Sequence, residues 1–281
     1  MTHPQFVFDL VQKIRTSKPL IHNITNYVVM NQTANALLSI GASPIMAHAP
    51  EELLEIASLS NALVVNIGTL DDNWIKSIKI ACKEAKKHAI PVILDPVGAG
   101  FTRLRTNFSR ELVSSGDISI IRCNASEAAS LIDDRAAGHG VDSIFTSDQF
   151  YRYINSLRTR IVEKYNVVLC ISGEKDFIIS ADKTYVVNNG HPIMSRVTGM
   201  GCTASSIAAA FAAVHKSDLA FATLSAMVVM GICGEQAALI SRGTGSFQTI
   251  FFDELYNINF ENINSGMRVD DEQFFAILSN T

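Results

Sequence analysis

The chain has no surplus of basic residues. Its 281 residues carry 23 Lys+Arg against 27 Asp+Glu, a formal net charge of −4. Nucleic acid is therefore excluded as the main partner, because nothing in bulk neutralises phosphates, although a local basic site stays open. Cysteine is sparse as well. Cys82, Cys123, Cys170, Cys202 and Cys233 are odd in number, widely spaced and never form a CxxC, which excludes a disulfide framework or a zinc ribbon. As small apolar residues they read as buried packing, and Cys202 alone has a neighbourhood that sets it apart. Residues 1–18 lack an apolar h-region and carry Asp9 and Lys13 within an amphipathic pattern, unlike a signal peptide. The longest apolar run, 219–234, stops at Asp218 and Glu235. It is shorter than the ~18–20 residues a membrane span needs and reads as a buried core helix. There is no repeat, no low-complexity tract, no GxxxxGK[ST] and no GxSxG, so the P-loop and the α/β-hydrolase elbow are excluded. With 48% hydrophobic and 18% charged residues, the composition is that of a globular protein and not of a disordered one. The expectation is a soluble, cytoplasmic protein of one domain, 1–281, with no membrane partner.

What is present alternates. Short apolar, β-rich runs at 62–67, 91–94, 117–121 and 166–171 are separated by stretches of helical spacing, such as Ile75, Ile78, Cys82 and Ala85 with lysines opposite. Runs without polar alternation predict strands buried on both faces, hence an α/β fold with a largely parallel central sheet and helices on both sides. A hairpin over 177–180 and 184–187 is expected late in the sheet. Helices are expected over 124–132, 202–214 and 219–239. The polar, glycine-containing segment 133–148 reads as a surface excursion.

Ligands of such sheets sit outside the carboxyl ends of the strands. Several predicted strands end in polar residues: Asn66 with Thr69, Asp95, Arg122 with Asn124 and Glu127, and Ser172 with Glu174. Capping explains any one of them; four together mark this edge as the site. The sharpest signal is the TGMGC string at 198–202, leading into a helix of small residues. Unsatisfied N–H groups and the helix dipole favour an anion there, and a thiolate at Cys202 would be favoured by the same potential. A glycine turn that only packs a helix is the alternative. Gly199, Gly201 and Ala204 also imitate a dinucleotide fingerprint, which would make the chain an oxidoreductase. That motif needs an acidic residue at the end of a following strand, and Asp218 follows a helical stretch instead.

Taken together, these strings resemble a known family. TGMGC at a helix start with NASE at 124–127 resembles the ribokinase superfamily. HNITNYVVMN (22–31), GASPIMAHAPEE (41–52), NIGTL (66–70), LDPVGAG (94–100) and RCNASE (122–127) narrow the resemblance to the hydroxyethylthiazole kinase family, over about residues 18 to 250. Another vitamin kinase of the superfamily would share the anion hole but not the first two blocks. Two local departures are Met200 in the Gly-x-Gly turn and FTRLR at 101–105, where the family more commonly has Ala-Thr-x-Tyr-Arg.

The resemblance implies a ribokinase-like fold. It also implies ATP- and Mg²⁺-dependent phosphorylation of the hydroxyethyl group of 4-methyl-5-(2-hydroxyethyl)thiazole, in thiamine salvage. It implies that Cys202, Gly199 and Gly201 form the catalytic turn, and that Arg122 and Ser172 contact the nucleotide. By the same resemblance Asn26, Met46 and Gly199 contact the thiazole, Asp95 and Glu127 serve the metal, and the subunits form a homotrimer with sites between neighbours. Elementary chemistry agrees with the assignments: phosphoryl transfer needs charge neutralisation and in-line positioning, Mg²⁺ takes one or two carboxylates, and guanidinium pairs with phosphate. Cys202 is expected to act as a modest base, provided the helix start lowers its pKa.

Overall fold

The computed structural model describes residues 3–132 and 153–271. The strands among them are β1 (Leu20–Ile24), β2 (Ser43–Ile45), β3 (Ala62–Asn66), β4 (Val92–Asp95), β5 (Ile120–Asn124), β6 (Val168–Ser172), β7 (Asp176–Ile179), β8 (Thr184–Val187) and β9 (Val269–Asp271). They form one sheet in the order β2-β1-β3-β4-β5-β6-β7-β8-β9. The six strands from β2 to β6 are parallel, and β7, β8 and β9 add antiparallel. The expected α/β architecture is therefore present, hairpin included. The segment expected as a surface excursion, 133–148, lies outside the described residues.

The unalternating strands serve two cores. In β3, Ala62 and Val64 face one apolar layer while Leu63 and Val65 face the other, so both parities are apolar up to the terminal Asn66. The first layer is filled by α1 (Pro4–Ser17), α2 (Met30–Ile40), α7 (Met200–Val214), α8 (Leu219–Ile240) and α9 (Thr244–Asn257). The second layer is filled by α4 (Asp72–Lys87), α5 (Arg103–Ser114) and α6 (Ala125–Ile132). Two short helices, α3 (Leu53–Leu59) and α10 (Phe260–Gly266), are accompanied by a π-helix (Arg158–Glu163) on the second layer and a 3-10 turn (Pro192–Arg196). Helix α8 runs past the apolar 219–234 stretch to 22 residues, a length that could cross a membrane, yet most of it is buried among the other helices. It is the core helix the sequence predicts.

Strand boundaries differ from expectation in an informative way. The third predicted strand, 117–121, starts later and runs on through Arg122 to Asn124, and 166–171 starts at Val168 and includes Ser172. Both shifts carry polar residues into the ladder, in register Arg122 with Cys170 and Asn124 with Ser172. Propensity argues against such residues inside strands, but pairing with an already ordered neighbour outweighs it.

Helix α7 rests on β3 and β4, and its Ala204, Ser205, Ala208, Ala209 and Ala212 are all buried. Small side chains let its backbone approach the sheet, and this sets where its first turn lies. Ala208→Leu should overpack that seam and lower stability by about 1–3 kcal/mol, read as a reduced midpoint in urea unfolding.

Candidate active site

The parallel strands bring their carboxyl ends to one edge, and the predicted residues collect there. Asn26 follows β1, Asn66 ends β3, Asp95 ends β4, Arg122 lies near the end of β5, and Ser172 ends β6. The first turn of α7 closes over this row.

At its centre is Asn66, fully buried. Its Nδ2 donates to Asp95 Oδ2 at 2.9 Å and to Cys202 Sγ at 3.2 Å. Its Oδ1 accepts from Asn26 Nδ2 at 2.9 Å and from the Gly68 N–H at 2.9 Å. Asn26 Nδ2 also reaches Cys202 Sγ at 3.5 Å. Ser205 Oγ donates to Asp95 Oδ2 at 2.8 Å. One continuous network thus joins β1, β3, β4 and α7. A buried amide with all its groups satisfied fixes geometry, whereas an unsatisfied one costs about 1–3 kcal/mol.

The α7 start has the form an anion site needs. Gly199 caps it at φ +80 and no side chain caps its free N–H groups. A Cβ on Gly199 would come within 2.8 Å of Gln32 Oε1 and 2.9 Å of Val29 Cγ1. On Gly201 a Cβ would meet Arg122 Nη1 at 2.7 Å. The Arg122 guanidinium is therefore packed against the helix start, and its Nε is buried without a partner. Two sources of positive potential converge on one turn.

Glu127 Oε1 accepts from the Gly98 N–H at 2.9 Å and Oε2 from the Asn124 N–H at 2.9 Å. The Glu127 N–H returns a bond to Asn124 Oδ1 at 2.8 Å, a reciprocal cap. Each carboxylate oxygen keeps a further lone pair. Among the described residues no group of three or more His, Cys, Asp or Glu could hold a metal by itself. The Glu127 carboxylate is close enough to Asp95 to raise the cost of ionising Asp95.

That environment decides protonation. Burial pushes the Asp95 carboxyl up to about 6; Arg122 opposes this, Glu127 adds to it, and the bonds from Ser205 and Asn66 oppose it. Burial pushes the Cys202 thiol up to about 11, with the Asp95 carboxylate adding, while the Asn66 and Asn26 amides and Arg122 work against the rise. The lowering expected from the helix start is outweighed by desolvation and by a neighbouring negative charge. Cys202 therefore holds its proton at neutral pH.

Two predicted residues stand apart from this network. Met46 follows β2 at the edge of the sheet, and no described hydrogen bond joins it to Cys202. Ser172 Oγ is buried and makes no hydrogen bond of ordinary geometry, though it lies near enough to Asp176 to favour that carboxylate. The sequence places Asn66 on this edge without giving it a role, and it does not point to Ser205 or Asp176. Asn66 carried a legible signal, since it ends an apolar strand just as Asp95 does. Ser205 is hidden in a run of small helix residues. Asp176 opens the hairpin strand β7, where burial raises its pKa to about 6 against the pull of Arg122.

The dinucleotide alternative fails on the same geometry. A 3-10 turn (Pro192–Arg196) precedes the glycine turn, and Asp218 caps α8 by accepting from the Phe221 N–H at 2.9 Å.

Comparison with known proteins agrees with the kinase resemblance. The sequence model of the hydroxyethylthiazole kinase family matches residues 11–261. The chain belongs to this family. A protein of Syntrophus aciditrophicus named hydroxyethylthiazole kinase is 48% identical over 267 residues, covering 95% of this chain and 97% of its own. One of Vibrio atlanticus with the same name is 45% identical, covering 94% and 98%. The solved structure of a hydroxyethylthiazole kinase protein from Pyrococcus horikoshii superposes with a TM-score of 0.86 at 37% identity, covering 95% and 99%. A ribokinase-like superfamily protein of Enterococcus faecalis shares the fold at 13% identity, with a TM-score of 0.58 and coverage of 89% and 95%. The expected ribokinase-like fold is thereby established, and membership of the family makes the chain a kinase.

Because Asp95 is raised above its ordinary value of 3.8 to about 6, the folded state binds its proton more tightly than the unfolded chain does. The cost of burying the carboxylate is absent below about pH 4 and sets in as pH rises through 6. Asp95→Asn should remove that pH-dependent loss. Between pH 4 and 8 its stability should gain on wild type by up to roughly 3 kcal/mol, measured by urea unfolding at both pH values.

Proposed function

We propose that this kinase transfers the terminal phosphoryl group of ATP to the hydroxyl of 4-methyl-5-(2-hydroxyethyl)thiazole, recovering the thiazole half of thiamine. The observation that carries the reading is the uncapped α7 turn with the Arg122 guanidinium packed on Gly201 and the Asp95 carboxylate joined to it through Ser205. Such a site stabilises the charge of a transferring phosphoryl group by positioning and by electrostatics, which this reaction chiefly needs.

In this reading Gly199, Gly201 and Cys202 surround the transferring group. Arg122 and Ser172 hold the nucleotide, with the unpartnered Arg122 Nε as spare hydrogen-bonding capacity. Asn26, Met46 and the Gly199 backbone hold the thiazole. Asp95 and Glu127 would hold Mg²⁺ together with waters and phosphate oxygens. Two buried neighbouring carboxylates with lone pairs to spare fit that ion, which keeps much of its hydration. When bound, Mg²⁺ neutralises phosphate charge. The protein acts as a single domain in the cytoplasm and assembles as a homotrimer with sites between subunits. Leu38 on α2 and Leu54 and Leu59 on α3 are apolar side chains left exposed, of the kind a neighbour covers.

During transfer the acceptor oxygen attacks the γ-phosphorus, the bond to ADP breaks, and the hydroxyl proton leaves. Cys202 accepts that proton only in its minor thiolate form, ~10⁻⁴ of molecules at pH 7 from a thiol near 11. Its contribution as a base is accordingly modest.

Incubation with ATP, Mg²⁺ and hydroxyethylthiazole should release ADP only when the alcohol is present; alcohol-independent or absent ADP release overturns the reading. Arg122→Ala should reduce kcat/KM at least about 100-fold, in the range expected for a lost oxyanion-hole donor. Cys202→Asp should raise kcat several-fold, since a carboxylate is ionised more readily than this thiol. A kcat that is unchanged or falls sharply would remove the proton-accepting role.

A further inference from the structure

The sequence contains a single tryptophan, Trp74, and its contacts are unlike those of an ordinary core residue. It lies in the first turn of α4, where Asp71 Oδ1 accepts from its backbone N–H at 2.7 Å. The side chain is almost fully buried, at 2% exposure. Its indole Nε1–H donates to the Thr25 carbonyl at 3.1 Å. Thr25 immediately precedes Asn26, whose amide reaches Asn66 and Cys202.

The same ring meets the second proposed thiazole segment. The His48 ring lies 4.3 Å from it, centroid to centroid, and the Tyr27 ring 4.8 Å. One helical turn further along α4, Ser77 Oγ donates to the His48 carbonyl at 2.6 Å. On the other side, buried His22 on β1 donates from Nε2 to the Ala47 carbonyl at 2.7 Å. Residues 46–48 are thus clamped between β1 and α4, and residues 25–27 are clamped to the same helix turn. These two segments flank α2 in the chain, one following β1 and the other following β2. Trp74 touches both, Thr25 through its indole N–H and His48 through its ring.

We propose that Trp74 is a positioning residue for the thiazole site, holding the Asn26 and Met46 segments at a fixed spacing through the Thr25 carbonyl and the His48 ring. The inference rests on the reading that Asn26 and Met46 contact the thiazole. A flat heterocycle held between two loops depends on their separation, and small displacements of a binding group weaken it. The nucleotide side, on β5 and β6, lies several strands away and does not depend on this brace.

The test compares wild type with Trp74→Phe, which keeps an aromatic ring but loses the N–H donor. KM for hydroxyethylthiazole should rise about five- to tenfold, while KM for ATP stays within twofold. Wild-type emission comes from Trp74 alone among tryptophans, and it should change on adding hydroxyethylthiazole without ATP. Equal rises in both KM values, or an unchanged KM for the thiazole, overturn the proposal. If the variant fails to fold, the wild-type emission decides, and no response to the thiazole overturns it. Absence of alcohol-dependent ADP release from wild type overturns the kinase reading itself and the inference with it, whereas normal wild-type turnover with a silent emission overturns the inference alone.

Discussion

The hydrogen bond from Asn66 to Asp95 is the constraint on which the site is built. The two residues stand opposite each other in the β3–β4 ladder, each at the last position of its strand. Asn66 spends one donor on the carboxylate and shares the same nitrogen with Cys202, while its oxygen gathers Asn26 and the Gly68 N–H. Four segments are held by one buried amide. Loss of either partner would leave buried polar groups unsatisfied, so the network behaves as a unit.

From that pair the electrostatics follow. Burying Asp95 beside Glu127 makes its ionisation costly, and Arg122 with two hydrogen bonds only partly compensates. The same carboxylate raises the Cys202 thiol. The site at rest therefore presents protonated sulfur, a carboxylate close to its titration point and a guanidinium against an uncapped helix start. In the proposed reading, this arrangement would take a polyphosphate with its cation. It concentrates positive potential locally in a chain whose overall charge is −4.

The small-residue helix α7 and the brace at α4 solve one geometric problem from two sides. The first brings a helix start down onto the sheet edge through alanine and serine. The second ties two loops to a single helix turn through Trp74 and Ser77. In both cases placement comes from packing on rigid elements, and loops by themselves supply little of it.

Much of the fold was legible in the sequence. Unalternating runs announced strands covered on both faces, because each parity of β3 to β6 meets its own apolar layer. Polar residues after those runs announced one shared polar edge, since parallel strands all finish on one side. Gly199 and Gly201 before a small-residue helix announced a helix start without a side-chain cap. The tertiary structure alone decided the rest. Whether Cys202 is thiol or thiolate depends on burial and on Asp95, 107 positions away by subtraction of their numbers, and local helix-start potential does not settle it. Asn66 and Ser205 gained their place through contacts 136 and 110 residues apart along the chain. Patterning specifies which elements form and which ends carry polar groups. Desolvation and charge–charge distances exist only once the chain has folded, and they set what those groups can do.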